Sequence, residues 1–319
     1  MKPILCEFLR AGRPEAVHHV SLAAVENGRT VLARGDVDHP VFLRSCAKPF
    51  QCLSVVESGA ADAYGFVPEE ISVIAGSHSG EAEHVRAVSS ILKKAGLLPA
   101  ALQCGVHPPS SPRALRDLYK AGKEPTVLHN NCSGKHSGMV AATKFMRAAV
   151  GTYLKPTHPL QRGNLANLAR FSGLPEKRIP VGIDGCSAPT FALPLKATAA
   201  ALARFCGTPG TPKRVRDAMM SHPRMVGRPC STIMGSAPGK ILAKAGAEGV
   251  YVCGFPGRDA GLALKVEDGA ARAWLPVLYE AIRKLGWLEK GELSGLGKAA
   301  STTLRNHAGI VVGEVRVRL

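Results

Sequence analysis

A ten-residue stretch concentrates reactive side chains around two glycines. The stretch Asn130–Met139 reads NNCSGKHSGM and offers two amides, a thiol, an amine, an imidazole and two hydroxyl groups. Glycine lets the backbone come close to another group, and packing alone rarely requires so many functional groups together. We therefore predict that a binding or catalytic site includes this stretch.

Ser45 and Lys48 form a Ser-x-x-Lys pair at the predicted start of a helix. Side chains three residues apart are neighbours on a helix, so a neutral Lys48 amine could take the Ser45 proton and make the hydroxyl a nucleophile. The uncharged neighbours of Lys48 favour burial, and burial favours the neutral amine. The spacing recurs at Ser90 and Lys93, which we interpret as an exposed helix face. A surface serine beside a solvated lysine is therefore the alternative for Ser45 and Lys48.

A second hydroxyl group could come from the turn that follows. The turn Gly76–Glu81 separates a predicted strand from a predicted helix and carries two serines, Ser77 and Ser79. Either serine could place its hydroxyl group in the same site as Ser45. The alternative is a turn without a chemical role, because serine and glycine are common turn residues.

Thiol and imidazole groups could also hold a metal ion. Cys132 and His136 are four residues apart, and Cys186 lies in another glycine-flanked turn, so two thiolates and an imidazole could form part of a tetrahedral zinc site. Buried core thiols are the alternative, and the odd count of nine cysteines without a Cys-x-x-Cys pair argues against disulfides. Chemistry alone would not select Lys135, because an ammonium group must lose its proton before it binds a metal.

The composition excludes several classes of protein. The chain has 319 residues, 45% hydrophobic content and a formal net charge of +17. Its 41 Lys and Arg residues are dispersed, and only 5% of its residues are aromatic, which favours a solvated basic surface over a nucleic-acid site. No apolar run is as long as a membrane span, and Glu7 interrupts the first run before a signal peptide could form. We therefore expect a soluble, cytoplasmic protein that binds neither nucleic acid nor membranes.

Strands are predicted at both ends of the chain around a helical middle. Asn27-Gly28 between the apolar-rich runs Val17–Val25 and Thr30–Arg34 predicts a β-hairpin. Further strands are predicted at 71–75, 179–183, 250–255 and 260–266, and helices from Ala47 onward with Gly59 as C-cap and at 82–94, 138–150 and 193–205. The prolines of Cys104–Pro109 indicate a loop. With no repeat and no clear linker, we expect residues 1–319 to form a single catalytic unit of the α+β or mixed α/β class, either as one domain or as two closely packed lobes.

Taken in order, eight segments resemble one known family, the third-class, rhizobial-type L-asparaginases of the asparaginase II group. The segments are Ser45–Pro49, Ser77–Glu81 with His84, Cys104–Pro109, Asn130–Gly138, His158–Gln161, Asp184–Thr190, Lys244–Gly249 and Ala263–Gly269. The resemblance runs from about residue 15 to residue 275. The combination of these motifs in one order is highly specific for the family.

The resemblance implies a fold and a reaction. The fold would be related to that of glutaminases and serine β-lactamases, with an antiparallel sheet, flanking helices and a helical portion. The protein would be a homodimer. The reaction of the family is the hydrolysis of L-asparagine to L-aspartate and ammonia, so the partner implied is a small-molecule amide.

The resemblance also implies two Ser-Lys tandems. Carried over position by position, they are Ser45 with Lys48, and Ser77 with Lys265. Ser45 would attack the side-chain amide and form an acyl-enzyme, ammonia would leave with a proton, and water would then release aspartate. Lys48 would act first as a base and then as an acid, while the second pair would relay protons.

A metal site and a substrate site complete what the resemblance implies. The family's zinc ligands fall on Cys132, Lys135 and Cys186, so Lys135 replaces His136 as the third ligand. Zinc would orient the amino acid end of the substrate rather than drive hydrolysis. The residues expected to bind the substrate are Arg44 at the α-carboxylate, Asp184 at the α-ammonium group, and His136.

Two other functions stay open at this point. The same chemistry could act on L-glutamine or another small amide, because one methylene group changes discrimination by only about 1–3 kcal/mol. The other is a zinc-holding basic binding protein without turnover. Loss of ammonia release in Ser45→Ala would separate both hydrolases from the binding protein.

Overall fold

Most strands lie near the two ends of the chain, and most helices lie between them. The computed structural model describes residues 1–319. The strands are β1 Ile4–Arg10, β2 Arg13–Glu26, β3 Arg29–Arg34, β4 Pro40–Phe42, β5 Val181–Ile183, β6 Pro189–Pro194, β7 Leu242–Ala245, β8 Val250–Phe255, β9 Ala260–Val266, β10 Thr303–Arg305 and β11 Val311–Arg318. The α-helices are α1 Lys48–Glu57, α2 Ala60–Ala63, α3 Pro68–Ile74, α4 Ala82–Lys94, α5 Pro112–Lys120, α6 Ser133–Phe145, α7 Pro159–Ser172, α8 Leu195–Gly207, α9 Thr211–Ser221, α10 Pro223–Val226, α11 Cys230–Ser236, α12 Trp274–Leu285 and α13 Lys290–Ala300.

The first of two compact units contains the main sheet. This unit consists of Met1–Val41, Leu193–Gly207 and Thr232–Leu319. Its strands pair antiparallel in the order β10-β11-β1-β2-β9-β8-β7, and β3 also pairs with β2. The 14-residue β2 pairs with β1 through its first half and with β9 and β3 through its second half. This long strand therefore joins the N-terminal and C-terminal parts of the sheet.

Local sequence explains this sheet. Asn27 and Gly28 both have positive φ, 49° and 74°, which is what a two-residue hairpin loop requires. The apolar runs of β8 and β9 are buried along nearly their whole length, as expected for strands covered on both faces. Helix α8 packs against β9 and β2, and α12 packs against β11 and β1. The sheet thus forms the core of the first unit with helices packed on it.

The second unit, Phe42–Ala192 and Thr208–Ser231, is mainly helical. Its helix α6 packs against α1, α3 and α4, and every residue of Ser133–Thr143 is buried. The approach of α6 to α3 requires glycine, because a Cβ atom on Gly134 would lie 2.3 Å from Val73 O. The glycines of the reactive stretch therefore serve helix packing, and its functional side chains project from a buried helix.

Asn130 organises the turn before α6. Its Oδ1 accepts a hydrogen bond from the Cys132 N–H group at 2.8 Å, and its carbonyl oxygen accepts one from the Ser133 N–H group at 2.9 Å. Its Nδ2 donates to Cys104 O at 2.9 Å and to Gly105 O at 3.1 Å. This amide therefore fixes the start of α6 against the 104–109 loop.

A small sheet in the order β4-β6-β5 holds two further turns. After β5, the Asp184 N–H group donates to Ala188 O at 2.8 Å, which closes the turn into β6. After β4, the Leu43 N–H group donates to Phe191 O at 2.8 Å. These two bonds bring Arg44, which follows Leu43, next to Asp184.

Two predicted elements were wrong. The segment 71–75, predicted as a strand, lies in α3 and its C-cap. The predicted helix 138–150 covers 133–145 instead, because packing over Gly134 outweighs the poor helix propensity of glycine. The strand predicted at 179–183 covers only Val181–Ile183, and the helix predicted at 193–205 covers Leu195–Gly207. Helix α1 has Ser58 rather than Gly59 as its C-cap. The hairpin, the strands at 250–255 and 260–266, the helix at 82–94 and the loop at 104–109 are confirmed.

The architecture confirms the predicted α+β class, with an antiparallel sheet, flanking helices and a helical portion. All nine cysteines are buried, and none forms a disulfide, as predicted. None of the helices combines the length and the apolar character that crossing a membrane requires.

Candidate active site

The amine of Lys48 is buried at the start of α1. Only 1% of the residue is exposed. Its Nζ donates to Ser77 Oγ at 2.8 Å, to Gly76 O at 2.8 Å and to Asn131 O at 3.3 Å. The structure thus joins the lysine of the first predicted tandem to the serine of the second. An amine within hydrogen-bond reach of a hydroxyl group is the arrangement that activates a nucleophile or relays a proton.

Ser45 lies one helical turn before Lys48. It belongs to a short 3-10 helix, Arg44–Ala47, that runs directly into α1. Ser45 is half-buried, whereas Cys46 and Ala47 are buried. Arg44 has a φ of 50°, a left-handed conformation that costs a residue other than glycine about 1–3 kcal/mol and that clusters at functional sites. A strained residue thus lies directly before Ser45 in the turn that leads into α1.

Arg44 and Asp184 form an ion pair. Arg44 Nε donates to Asp184 Oδ1 at 2.7 Å, and the Gly185 N–H group donates to the same oxygen at 2.8 Å. Burial disfavours the Asp184 carboxylate, but the positive charges of Lys135 and Arg44 outweigh this effect and lower the pKa of Asp184 below its ordinary value. A charged pair of this kind could receive the carboxylate and ammonium groups of a free amino acid.

The three predicted metal ligands lie together. Lys135 Nζ is 3.0 Å from Cys186 Sγ, and the Cys186 thiol forms a hydrogen bond with Cys132. That hydrogen bond, together with the positive charges of Lys48 and Lys135, lowers the pKa of Cys132 well below its ordinary value despite burial. The same hydrogen bond and burial raise the pKa of Cys186. These directions favour the thiolate form of Cys132 and the protonated form of Cys186.

This set of donors fits a zinc ion. All three side chains are buried, and soft thiolate sulfur is a preferred ligand of zinc. Burial opposes the charge on Lys135, but the neighbouring sulfur groups of Cys132 and Cys186 raise the pKa of its ammonium group. Metal binding here would therefore release protons from the lysine and from the second thiol.

His136 forms one hydrogen bond, to a buried tyrosine. Its Nδ1 lies 2.6 Å from Tyr153 Oη, and Tyr153 Oη accepts a hydrogen bond from the Gln103 N–H group at 2.9 Å. With Tyr153 donating to Nδ1, the ring proton lies on Nε2, which is buried without a partner. Burial and the charges of Lys135 and Lys48 lower the pKa of His136 well below its ordinary value. The neutral ring thus carries an N–H group that could donate a hydrogen bond to a substrate oxygen.

Lys265, the fourth predicted catalytic residue, lies on β9 in the first unit. Its Nζ donates to Val266 O at 2.5 Å and to Glu267 O at 3.4 Å. Burial lowers the pKa of Lys265, and neighbouring carboxylates oppose this shift. A lowered pKa suits a base, because only the neutral amine can accept a proton. The pairing of Lys265 with Ser77 stays a prediction.

The sequence as a whole identifies the family. The profile of the L-asparaginase II family matches residues 6–317. The chain belongs to the L-asparaginase II family. The predicted family is therefore confirmed. Among curated proteins, no sequence matches this L-asparaginase II chain.

Solved structures give looser matches to the L-asparaginase II chain. A structure of Mglu in its glutamate form has a TM-score of 0.46 and 14% sequence identity over 84% of this chain and 61% of that one. A structure of Mglu in its tris and glutamate form has a TM-score of 0.44 and 15% identity over 83% and 59%. A beta-lactamase from Mycobacterium bovis has a TM-score of 0.45 and 15% identity over 84% and 95%. The chain spans about three fifths of the length of Mglu, and the family assignment rests on the sequence match.

Several buried polar residues of this L-asparaginase II chain have no role among the predictions from the sequence. His78 and His84 belong to the motif of the Ser77 turn, and both are buried. Their place in that motif was the sequence feature that could have indicated a role in the site. Tyr153, which holds His136, had no sequence signal, because it is 17 residues away along the chain and reaches the ring through the fold.

Proposed function

We propose that the protein hydrolyses the side-chain amide of L-asparagine to L-aspartate and ammonia. The observation that carries the proposal is the hydrogen bond from the buried Lys48 amine to Ser77 Oγ, one helical turn after Ser45. A buried amine in contact with a hydroxyl group, close in sequence to a second serine, is what a serine acyl-transfer reaction requires. Membership of the L-asparaginase II family supports the substrate.

Ser45 is the proposed nucleophile. Its Oγ attacks the amide carbon of the substrate, a C–O bond forms, and the hydroxyl proton passes to Lys48, which must enter this step as the neutral amine. The C–N bond then breaks, and the nitrogen takes a proton as it leaves as ammonia. Water attacks the resulting ester, which releases aspartate and returns the proton to Ser45.

Ser77 is the proposed proton relay. Its Oγ accepts from Lys48, and its O–H group would donate a proton to the leaving nitrogen. A relay of this kind needs a fixed hydroxyl group, because proton transfer requires hydrogen-bond contact. The role of Lys265 in the same relay rests on the family resemblance and on its lowered pKa.

The ion pair of Arg44 and Asp184 supplies the proposed binding site for the amino acid end. Arg44 would hold the α-carboxylate and Asp184 the α-ammonium group, so a zwitterion would bind across the pair. The Nε2–H group of His136 would donate to a substrate oxygen. These contacts would orient the side-chain amide toward Ser45.

Cys132, Lys135 and Cys186 would hold a zinc ion. A zinc ion bound there would supply a Lewis-acidic centre that helps to orient the substrate. The thiolate charge on Cys132 supports this assignment. The predicted homodimer also stays a prediction, which light scattering of the purified protein would check.

Ammonia release from L-asparagine and from L-glutamine by purified protein tests the proposal. We expect faster release from asparagine and its loss in Ser45→Ala. Faster release from glutamine would make L-glutamine the assigned substrate. Release from neither amide would contradict an amidohydrolase of this class. Ser90→Ala is the matched control, because Ser90 has the same spacing to a lysine on α4 and should keep full activity.

A further inference from the structure

Two stacked histidines flank the loop that carries Ser77. The rings of His78 and His84 lie 5.2 Å apart at an angle of 13°, and the two residues are 0% and 1% exposed. Neither takes part in the proposed reaction. Buried polar rings need hydrogen-bond partners, and the partners of these two show what they hold in place.

His84 links the start of α4 to a second segment of the chain. Its Nδ1 accepts a hydrogen bond from the Glu81 N–H group at 3.1 Å, so its ring proton lies on Nε2. Its Nε2–H group donates to Arg224 O at 3.0 Å. Arg224 belongs to the segment His222–Gly227, which we call the Ser77 strap.

The Ser77 strap holds the backbone of Ser77. The Ser77 N–H group donates to Val226 O at 2.8 Å. A Cβ atom on Gly227 would lie 2.2 Å from Ser77 O, and one on Gly76 would lie 2.4 Å from Met225 O. The two backbones are therefore in direct contact on both sides of the Ser77 peptide, and a shift of the strap would move Ser77.

His78 fixes the other side of the same loop. Its Nδ1 accepts a hydrogen bond from the Gly80 N–H group at 3.2 Å, and its Nε2–H group donates to Ser133 Oγ at 2.9 Å. Ser133 Oγ in turn donates to Leu128 O at 2.8 Å. The loop is thus anchored to the first residue of α6 on one side and to the strap on the other.

We propose that His84 is a positioning residue for Ser77, which acts through the hydrogen bond from its Nε2–H group to Arg224 O in the Ser77 strap. The inference rests on the proposed function, because it assigns His84 a part in the proton relay of Ser77. Lys48 Nζ lies 2.8 Å from Ser77 Oγ. A small displacement of the strap lengthens this contact, and proton transfer depends steeply on it.

Two substitutions of His84 distinguish its role in positioning Ser77 from its role in capping α4. His84 is the third residue of α4 and accepts the N–H group of the N-cap residue Glu81, a task that Gln and Glu both perform in capping boxes. Gln also carries an N–H group for Arg224 O, whereas a carboxylate has none. We expect His84→Glu to lower kcat by about 10- to 100-fold with little change in KM, and His84→Gln to restore most of the lost kcat.

Ser72→Ala is the matched control for general destabilisation. Ser72 Oγ donates to His222 O at 2.9 Å, so this variant loosens the far end of the strap and leaves the bond to Arg224 O intact. We expect it to lower the Tm while kcat stays near that of the wild type. Equal kcat values in His84→Glu and His84→Gln would overturn the proposal, as would a loss of kcat in Ser72→Ala as large as that in His84→Glu.

Hydrogen exchange tests the positioning without any turnover. The Ser77 amide, which donates to Val226 O, should exchange at least about tenfold faster in His84→Glu than in His84→Gln. Wild-type exchange in His84→Glu would overturn the positioning role. If the wild type releases no ammonia but the exchange rates differ as expected, the proposed function fails and the structural part of this inference stands.

Discussion

Lys135 Nζ contacts Cys186 Sγ at 3.0 Å, and both residues are buried. The contact joins the Lys135 amine to one of the two thiols of the predicted zinc site, and Cys132 supplies the other. A zinc ion bound by these three side chains would displace protons from them.

We expect Cys132→Ser to lower the affinity for zinc by more than the roughly 10- to 100-fold that changes in outer-shell partners cause. The loss follows because the Cys132 thiolate carries the negative charge of the cluster. Metal content after dialysis against graded zinc concentrations measures it. Cys52→Ser is the control, since Cys52 is a buried thiol that donates to Ile71 O; equal zinc loss in both variants would contradict the assignment.

Replacing Lys48 by methionine should lower kcat by about 100- to 10,000-fold, the range for a general base. Methionine keeps much of the length of lysine but cannot accept the Ser45 proton or donate the hydrogen bond that Lys48 gives to Ser77 Oγ. Steady-state ammonia release measures the effect. Lys93→Met is the matched control, because Lys93 follows Ser90 at the same spacing and is exposed. An active Lys48→Met variant would remove Lys48 from the mechanism.

Asp184→Asn should raise the KM for asparagine by about tenfold or more, since a hydrogen bond to a charged group contributes about 1.5–3 kcal/mol. The change removes the negative charge that Arg44 holds at 2.7 Å and that the substrate ammonium group would contact. Steady-state kinetics measures KM and kcat separately. Asp38→Asn, which breaks an exposed pair with Lys196, should leave KM unchanged. A fall in kcat alone would place Asp184 in the chemical step instead.

The free energy of unfolding should decrease as the pH falls below 6.5. Burial lowers the pKa of His78 and of His136 well below their ordinary value of 6.5. Below pH 6.5 the unfolded chain therefore binds protons that the folded chain excludes, so the stability present above this pH is lost as the pH falls toward the folded-state pKa values.

Each of the two histidines contributes up to about 1.4 kcal/mol per pH unit to the pH dependence of the unfolding free energy, between pH 6.5 and the folded-state pKa. Urea unfolding at several pH values between 5 and 8 measures the slope. His136→Gln should reduce the slope, whereas His39→Gln, which changes an exposed histidine, should not. An unchanged slope in His136→Gln would show that the ring titrates equally in both states.

Elements with strong local signals could be predicted from the sequence. Val250–Phe255 and Ala260–Val266 are observed with the predicted bounds, because both are continuous apolar runs bounded by turns. The segment 71–75 has the same apolar character but is helical, and a short apolar run does not distinguish a buried strand from a buried helix. Pro68 and the bond from the Val67 N–H group to Glu70 Oε2 are the helix-start features that decide this case.

The residues of the site could be predicted from the sequence, but the hydrogen bonds between them could not. Motif resemblance selected Ser45, Lys48 and Ser77, yet the bond between Lys48 and Ser77 spans 29 residues and depends on how α1 packs in the second unit. The helical start at Ser133 was also hidden, because two glycines in six residues argue against a helix until the packing partner Val73 is known.

The bond from the Ser77 N–H group to Val226 O has a consequence for inhibitor design. Serine acyl transfer passes through a tetrahedral intermediate whose oxyanion needs backbone N–H donors. The Ser77 amide is already saturated, so it cannot supply one of them. A transition-state mimic with a tetrahedral anionic centre, such as a boronate on Ser45, must therefore draw its stabilisation from other amides.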